Sequence, residues 1–104
     1  MKFLIIQKVR RNVDLERWAK MLPLQFKYFE SLEKEKIIDV YYHLIGQQGS
    51  MLIINAESDE KLSRIIGKDP MFFECEREIY PLTTRQTHEN QIRELIGSAI
   101  DLGM

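Results

Sequence analysis

Short apolar runs of strand length alternate along the chain with longer segments of helical periodicity. Four runs rich in β-branched and aromatic residues predict strands, at residues 3–9, 37–45, 50–56 and 72–80. The first three are apolar on both faces, which is typical of a sheet covered on both sides. Four residues with a glycine at each end, Gly46 and Gly49, join the second and third runs. These two runs therefore predict a β-hairpin.

The segment after the first strand predicts a long amphipathic helix. Asn12 or Asp14 can cap its start. Pro23 lies inside it, so we expect a kink or a restart near Met21. The apolar positions follow a spacing of three and four: Leu15, Trp18, Leu22, Phe26, Phe29 and Leu32. We expect this stripe to face the core, with Trp18, Phe26 and Phe29 as packing residues rather than an aromatic cage.

Two further helices are predicted. The first follows Ser58, a good N-cap, and we expect it to end with Gly67 in the left-handed C′ conformation. The second spans residues 86–102 and carries a narrow apolar stripe, interrupted by Gly97. That stripe consists of Ile92, Leu95, Ile96, Ala99 and Ile100. We expect this C-terminal helix to pack on a partner subunit.

The element order is strand, helix, strand, strand, helix, strand, followed by the extra helix. With right-handed crossovers this order predicts a single α+β domain over residues 1–104, ferredoxin-like, with a four-stranded antiparallel sheet. Two helices can cover only one side of that sheet, and an uncovered apolar side marks an interface. We therefore expect a homodimer or a higher ring oligomer, built on the common two-fold pairing.

Composition excludes several classes of protein. The 104 residues are 44% hydrophobic and 30% charged, with a net charge of −1. That charge gives no footprint for nucleic acid or for a membrane surface, and no apolar run is long enough to cross a bilayer. The apolar run after Met1-Lys2 is too short for a signal-peptide core and lacks a cleavage site, so we expect it to form a strand. A single cysteine suits a reducing compartment, so we expect a cytoplasmic protein.

Several segments carry a resemblance to a known family. These are Leu32–Glu35, Leu44–Gly46, Met51–Ala56 and Glu57–Leu62, and the block from Asp69-Pro-Met-Phe72 through Glu76 and Glu78 to Leu82. Over about residues 1–87 the chain resembles muconolactone isomerase and its small relatives in the dimeric α+β barrel superfamily. The resemblance implies paired sheets, a pocket between sheet and helices or inside the barrel, and a cofactor-independent proton shift on a small lactone or carboxylated metabolite.

For such a reaction the candidate catalytic residues are His43, Glu76 and Glu78. Histidine has a suitable unperturbed pKa, and close glutamates raise the pKa of one another. Tyr42 is expected to orient the substrate with its hydroxyl, and Ile6 and Leu44 to complete the substrate site. Each acid and base also has a plain interpretation. His43 can be an ordinary strand-end residue, and the glutamates can pair with Lys2, Lys8 or Arg77 or point to solvent.

A second functional class stays open, a non-catalytic homo-oligomer that binds a small apolar molecule. The second strand of muconolactone isomerase carries polar residues at positions where this chain has mostly apolar ones. This difference favours the non-catalytic class. An enzyme pocket should hold convergent His, Glu and Tyr side chains, whereas a binding pocket should be nearly all Leu, Ile, Met and Phe. We expect no cofactor, and no metal because His43, His88 and Cys75 lack ligand spacing. We expect Cys75 to be buried as a small hydrophobe.

Overall fold

The strands and helices follow the predicted order. The computed structural model describes residues 1–101, with the side chains of residues 1–98. Its elements are β1 (Lys2–Val9), α1 (Leu15–Lys34), β2 (Ile38–His43), β3 (Gly49–Asn55), α2 (Asp59–Gly67), β4 (Cys75–Leu82) and α3 (Arg85–Asp101), with a short 3-10 helix, Phe72–Glu74, before β4. The predicted strand and helix boundaries agree to within a few residues.

The four strands form one antiparallel sheet in the order β2-β3-β1-β4. In its centre Ile5 lies opposite Leu52 on β3 and Ile79 on β4. Side chains of α1 and α2 pack together against one face of the sheet, and with it they form the hydrophobic core: Phe3, Ile5, Phe29, Leu32, Leu52, Ile54 and Leu62. The predicted α+β, ferredoxin-like arrangement is confirmed.

The opposite face of the sheet is apolar at its centre and has no helix over it in the described part of the chain. We call this surface the open face; its apolar members are Leu4, Ile6, Val40, Tyr42, Met51 and Ile53. They are half-buried by one another, except Tyr42, which is exposed. The register places Leu4 beside Ile53 and Ile53 beside Val40. A continuous apolar strip therefore crosses three strands.

A bulge in β2 changes which side chains share a face. Simple alternation along the strand places Ile38 with Val40 and Tyr42. In the structure Ile38 pairs with Ile54 while Val40 pairs with Ile53, so the register shifts at Asp39. Ile38 consequently lies in the core on the helix side. The face expected from alternation is wrong for Ile38, because one extra residue in a strand reverses the direction of every side chain beyond it.

The first helix is unbroken, so the restart expected near Met21 is wrong. Asp14 caps it, accepting from the N–H of Glu16 (3.0 Å). Pro23 lies on the exposed side of the helix, where the carbonyl that loses its N–H donor is open to water. Phe29 and Leu32 are buried as expected.

Two members of the predicted stripe of α1 lie on the exposed side of the helix. Leu15 and Phe26 are exposed, whereas Gln25 is buried. The residues that follow the core side are spaced by four and three: Trp18, Leu22, Gln25, Phe29 and Leu32. Gln25 therefore occupies a core position in place of Phe26, and its amide must find a partner inside the protein.

Ser58 caps α2 as expected, accepting from the N–H of Lys61 (3.2 Å). Gly67 is the last helical residue and is not left-handed, so that expectation is wrong. The N–H groups of Lys68 and Asp69 continue the turn by donating to the carbonyls of Arg64 (3.2 Å) and Ile66 (3.1 Å). Among the glycines of the described segment, the positive φ belongs to Gly46 in the hairpin turn.

The predicted C-terminal helix is present as α3, and it stands away from the rest of the molecule. Ile92, Leu95 and Ile96 are exposed, Leu95 to 66%. The radius of gyration is 18.2 Å, whereas a compact domain of this length has about 13 Å. The side chains of Ala99 and Ile100, and residue 102, lie outside the described residues. No helix in residues 1–101 is long and apolar enough to span a membrane.

Candidate functional site

A large concavity lies on the helix side of the sheet, between α2, β4 and the 3-10 helix. We call it the α2 groove. Its volume of about 710 Å³ falls within the range of small-molecule sites. Arg10, Asp59, Ser63 and Arg77 contribute its polar groups. The remaining surface is mostly apolar and comes from Phe3, Leu62, Ile66, Phe72, Phe73, Cys75, Ile79 and Pro81.

A buried polar cluster around Asp69 holds the segment between α2 and β4, which forms part of the groove. Both oxygens of the Asp69 carboxylate accept from Gln25 Nε2, at 3.1 and 3.0 Å. Oδ1 also accepts from the Met71 N–H at 2.8 Å, and Oδ2 accepts from Arg77 Nη2 at 2.8 Å. The Asp69 and Arg77 side chains are both at least nine-tenths buried. This network ties α1, the end of α2 and β4 to one carboxylate.

The same arginine places the aromatic wall of the groove. Arg77 Nη1 donates to the carbonyl of Phe72 (2.9 Å), and its guanidinium lies 5.1 Å from the centre of the Phe72 ring. The Phe72 and Phe73 rings meet edge to face, with centroids 5.1 Å apart. Phe73 is nevertheless 76% exposed. An aromatic side chain held this far into solvent leaves its face free for a ligand.

Cys75 lines the groove and is buried, as expected from the sequence. Burial raises the pKa of its thiol to about 11. At neutral pH the sulfur is therefore protonated, and a protonated thiol is neither a nucleophile nor a good metal ligand. Cys75 contributes apolar surface to this site.

The sequence-predicted catalytic residues are separated in the chain. His43 faces the helix side of β2, where its ring lies 5.2 Å from Tyr41 and 6.3 Å from Phe26 between centroids. Glu76 and Glu78 lie on β4, at the opposite edge of the sheet, and face the other way beside Lys8 and Ile6. The structure does not bring His43 together with either glutamate in one chain. Their catalytic roles stay predictions.

The open face gathers most of the other predicted residues. Ile6 lies opposite Glu78 on β4 and Met51 on β3, and Met51 in turn lies opposite Tyr42. Leu44 follows β2 and donates its N–H to the carbonyl of Gly49 (3.0 Å), at the hairpin end. Ile6 and Tyr42 thus share one surface with the glutamates, and Leu44 lies at its border.

The two glutamates make exposed polar contacts on this face. Glu78 Oε2 accepts from the Tyr80 hydroxyl at 2.8 Å, and this hydrogen bond raises the pKa of Tyr80 because deprotonation would place two negative charges side by side. Glu76 lies 3.8 Å from Arg10 Nη1, an exposed contact. Pairing of Glu76 with a basic residue was the plain alternative, although Arg10 was not among the residues named for it.

Sequence reasoning missed the α2 groove and the Asp69 cluster. One signal was present, since Gln25 is a polar residue at a core position of an otherwise apolar stripe. Such a residue needs a buried partner, and Asp69 before Pro70 was a candidate. The pairing itself joins residues 44 positions apart, and no local pattern reports a contact of that kind.

Comparison with known proteins identifies the fold. No protein-family model matches the chain, and no curated protein matches it by sequence. Among solved structures, muconolactone isomerase superposes with a TM-score of 0.73 and 15% identity, over 82% of this chain and 91% of that one.

A second solved structure is a 5-chloro-2-hydroxyhydroquinone dehydrochlorinase from Burkholderia phenoliruptrix AC1100, in complex with 2,5-dihydroxybenzoquinone. It superposes with a TM-score of 0.68 and 22% identity, over 84% of this chain and 98% of that one. The predicted resemblance is thus confirmed for the fold. This chain has the ferredoxin-like α+β fold of muconolactone isomerase.

Proposed function

We propose that this protein is a homo-oligomer that binds a small, largely apolar molecule in the α2 groove. The observation that carries the proposal is the lining of the groove, where aromatic and aliphatic side chains outnumber the polar groups. No His, Glu or Tyr is among its lining residues in the described segment. Asp59 contributes a carboxylate, but the apolar majority of the lining is closer to the composition of a binding pocket than to that of an acid–base site.

The polar groups of the groove support orientation of a ligand rather than proton transfer. Arg77 is held by Asp69 and Phe72, so its guanidinium already has hydrogen-bond partners. Cys75 is a neutral thiol at working pH. An apolar ring that stacks on Phe73 would remove its exposed face from water, and burial of aromatic surface is the main favourable term in such complexes.

Phe73→Ala is expected to weaken binding of naphthalene, a simple apolar probe, by about fivefold to tenfold because it removes one wall of the groove. Chemical-shift titration should show the binding at Leu62, Ile66 and Ile79. Because Phe73 is mostly exposed, its loss should leave the thermal stability of the protein almost unchanged.

Leu24→Ala is the matched control for this experiment. Leu24 is an apolar side chain on α1 that is 48% exposed and is not part of the groove lining. An equal loss of affinity in both variants, or shift changes confined to the open face, would show that naphthalene binds elsewhere.

The oligomer in this proposal pairs two open faces. An apolar strip across three strands is larger than the isolated hydrophobic residues that ordinary surfaces tolerate. A second copy supplies an identical strip under two-fold symmetry. The exposed stripe of α3, Ile92, Leu95 and Ile96, offers a second contact with a partner subunit.

A proton-shift isomerase acting on a small lactone or carboxylated metabolite is the second candidate. The likeness of fold to muconolactone isomerase supports it, as does the placement of Glu76, Glu78, Tyr42 and Ile6 on the open face. Pairing of two copies would enclose these side chains, and enclosure strengthens the electrostatic interactions of a carboxylate base.

In this candidate Glu76→Gln is expected to abolish turnover of muconolactone, because an amide cannot accept the substrate proton. The measurement is the absorbance change of the lactone with purified oligomer. Glu60→Gln, an exposed acid of α2 paired with Arg64, is the control and should keep full activity. Unchanged activity in Glu76→Gln would remove this residue as the base.

A further inference from the structure

The two arginines that line the α2 groove differ in how completely their charges are paired. The Arg77 guanidinium is buried, and it donates to the Asp69 carboxylate (2.8 Å) and to the Phe72 carbonyl (2.9 Å). Arg10 is half-exposed, and among the described residues the one carboxylate within 4.0 Å of it is that of Glu76, at 3.8 Å. Arg10 is therefore the cation of the groove that can still bind an anion.

Hydrogen bonds hold Arg10 next to the exposed aromatic ring of the groove. Arg10 Nε donates to the carbonyl of Phe73 (3.1 Å), and the Arg10 backbone N–H donates to the carbonyl of Glu74 (2.9 Å). The guanidinium is thus anchored at Nε, whereas Nη1 has only the long contact with Glu76 in the described part of the chain. A guanidinium held in this way can bind a carboxylate through its two terminal nitrogens.

The strand register places Arg10 and Asp59, the acid of the groove lining, near opposite ends of the groove. Arg10 follows β1 directly, next to the start of β4. Asp59 begins α2 shortly after β3, and the end of β3 lies beside the start of β1. The eight residues of β1 extend about 23 Å between these two ends. An anion bound at Arg10 is consequently far from the Asp59 carboxylate.

The buried acids near the Arg10 end of the groove already have cations of their own. Glu74 accepts from Arg17, and Asp69 accepts from Arg77. Glu76 is instead mostly exposed, and an exposed ion pair contributes little in water. A carboxylate that enters the groove can therefore compete with Glu76 for the guanidinium.

We propose that the ligand of the α2 groove is an acid whose apolar ring lies against Phe73 and whose carboxylate binds Arg10. This inference rests on the proposed binding function and names the class of ligand. The hydrogen bond between Arg10 and the Phe73 carbonyl keeps the cation beside the ring, so one ligand can contact both. The ligand carries its charge at one end only, because a second carboxylate at the far end would meet Asp59.

Three probes that share one ring test this contact: naphthalene, 2-naphthamide and 2-naphthoate. The amide matches the acid in size but lacks its charge. We expect wild-type protein to bind the naphthoate about fivefold more tightly than the amide at low salt, as one exposed ion pair would give. High salt should reduce this preference, because it screens exposed charges. Calorimetric titration measures the three affinities.

Arg10→Gln should abolish the preference for the naphthoate over the amide, because it removes the cation. Arg11→Gln is the matched control and should keep the preference, since Arg11 is exposed and is not part of the groove lining. If naphthalene binds, three results overturn the contact with Arg10 and leave the groove: equal wild-type affinity for acid and amide, a preference that survives Arg10→Gln, or one lost equally in Arg11→Gln. Binding of none of the probes overturns the groove as a ligand site and the carboxylate contact with it.

Discussion

Asp69→Ala is expected to lower the free energy of unfolding by about 3–5 kcal/mol, because it leaves the Arg77 guanidinium buried without its counter-charge. The Arg77 side chain is only 9% exposed, so water cannot replace the lost carboxylate. Gln25 Nε2 and the Met71 N–H lose their acceptor in the same step. Urea denaturation followed by circular dichroism measures the change.

Two further variants isolate the cause. Glu60→Ala removes an acid from an exposed ion pair on α2 and should change stability by no more than about 0.5 kcal/mol. Combining Asp69→Leu with Arg77→Met removes both buried charges and should recover part of the loss, since an apolar pair needs no counter-charge. If the double variant is no more stable than Asp69→Ala, the charge imbalance is not the main term.

Ile53→Asp is expected to convert the proposed oligomer to a monomer. Ile53 lies at the centre of the open face, between Leu4 and Val40. Two-fold pairing would bury a carboxylate from each copy without a partner. The substitution changes one central contact from each of the two copies. At about 2 kcal/mol for each, the dimer dissociation constant should rise about a thousandfold. Sedimentation velocity over a range of concentrations measures it.

Leu24→Asp introduces the same charge on the exposed side of α1 and should leave the oligomer intact. A wild-type protein that sediments as a stable monomer at micromolar concentration would contradict the pairing of open faces. Dissociation by Leu24→Asp to the same extent would place the interface on the helices instead.

The fold could be predicted from the sequence because it depends on local sequence patterns. Strands rich in β-branched residues, a cap at Asp14 and another at Ser58 depend only on nearby residues. The order of these elements then admits few topologies. The restart expected near Met21 failed because Pro23 lies on the exposed side of α1, where the helix can pass a residue that disfavours it. The end of α2 at Gly67 was predicted, but not its conformation.

The candidate site could be predicted less well from the sequence, for two physical reasons. The bulge at Asp39 puts the side chains of Ile38 and Val40 on opposite faces of the sheet. The alternation of apolar and polar residues cannot predict such an extra residue in a strand. The α2 groove is formed by β1, α2, the 3-10 helix and β4, which meet only after the chain has folded. His43, Glu76 and Glu78 could be proposed from their chemistry, but their separation depends on strand order and face.

The exposure of α3 determines what can stabilise its helical structure. A peptide of 17 residues is only marginally helical in water when its apolar side chains have nothing to pack on. Few of the side chains seen in α3 are covered by its own subunit, so packing on a partner subunit would have to supply the stabilising free energy. If the proposed oligomer forms, the secondary structure of the tail becomes a collective property of the assembly, set by mass action as much as by the sequence.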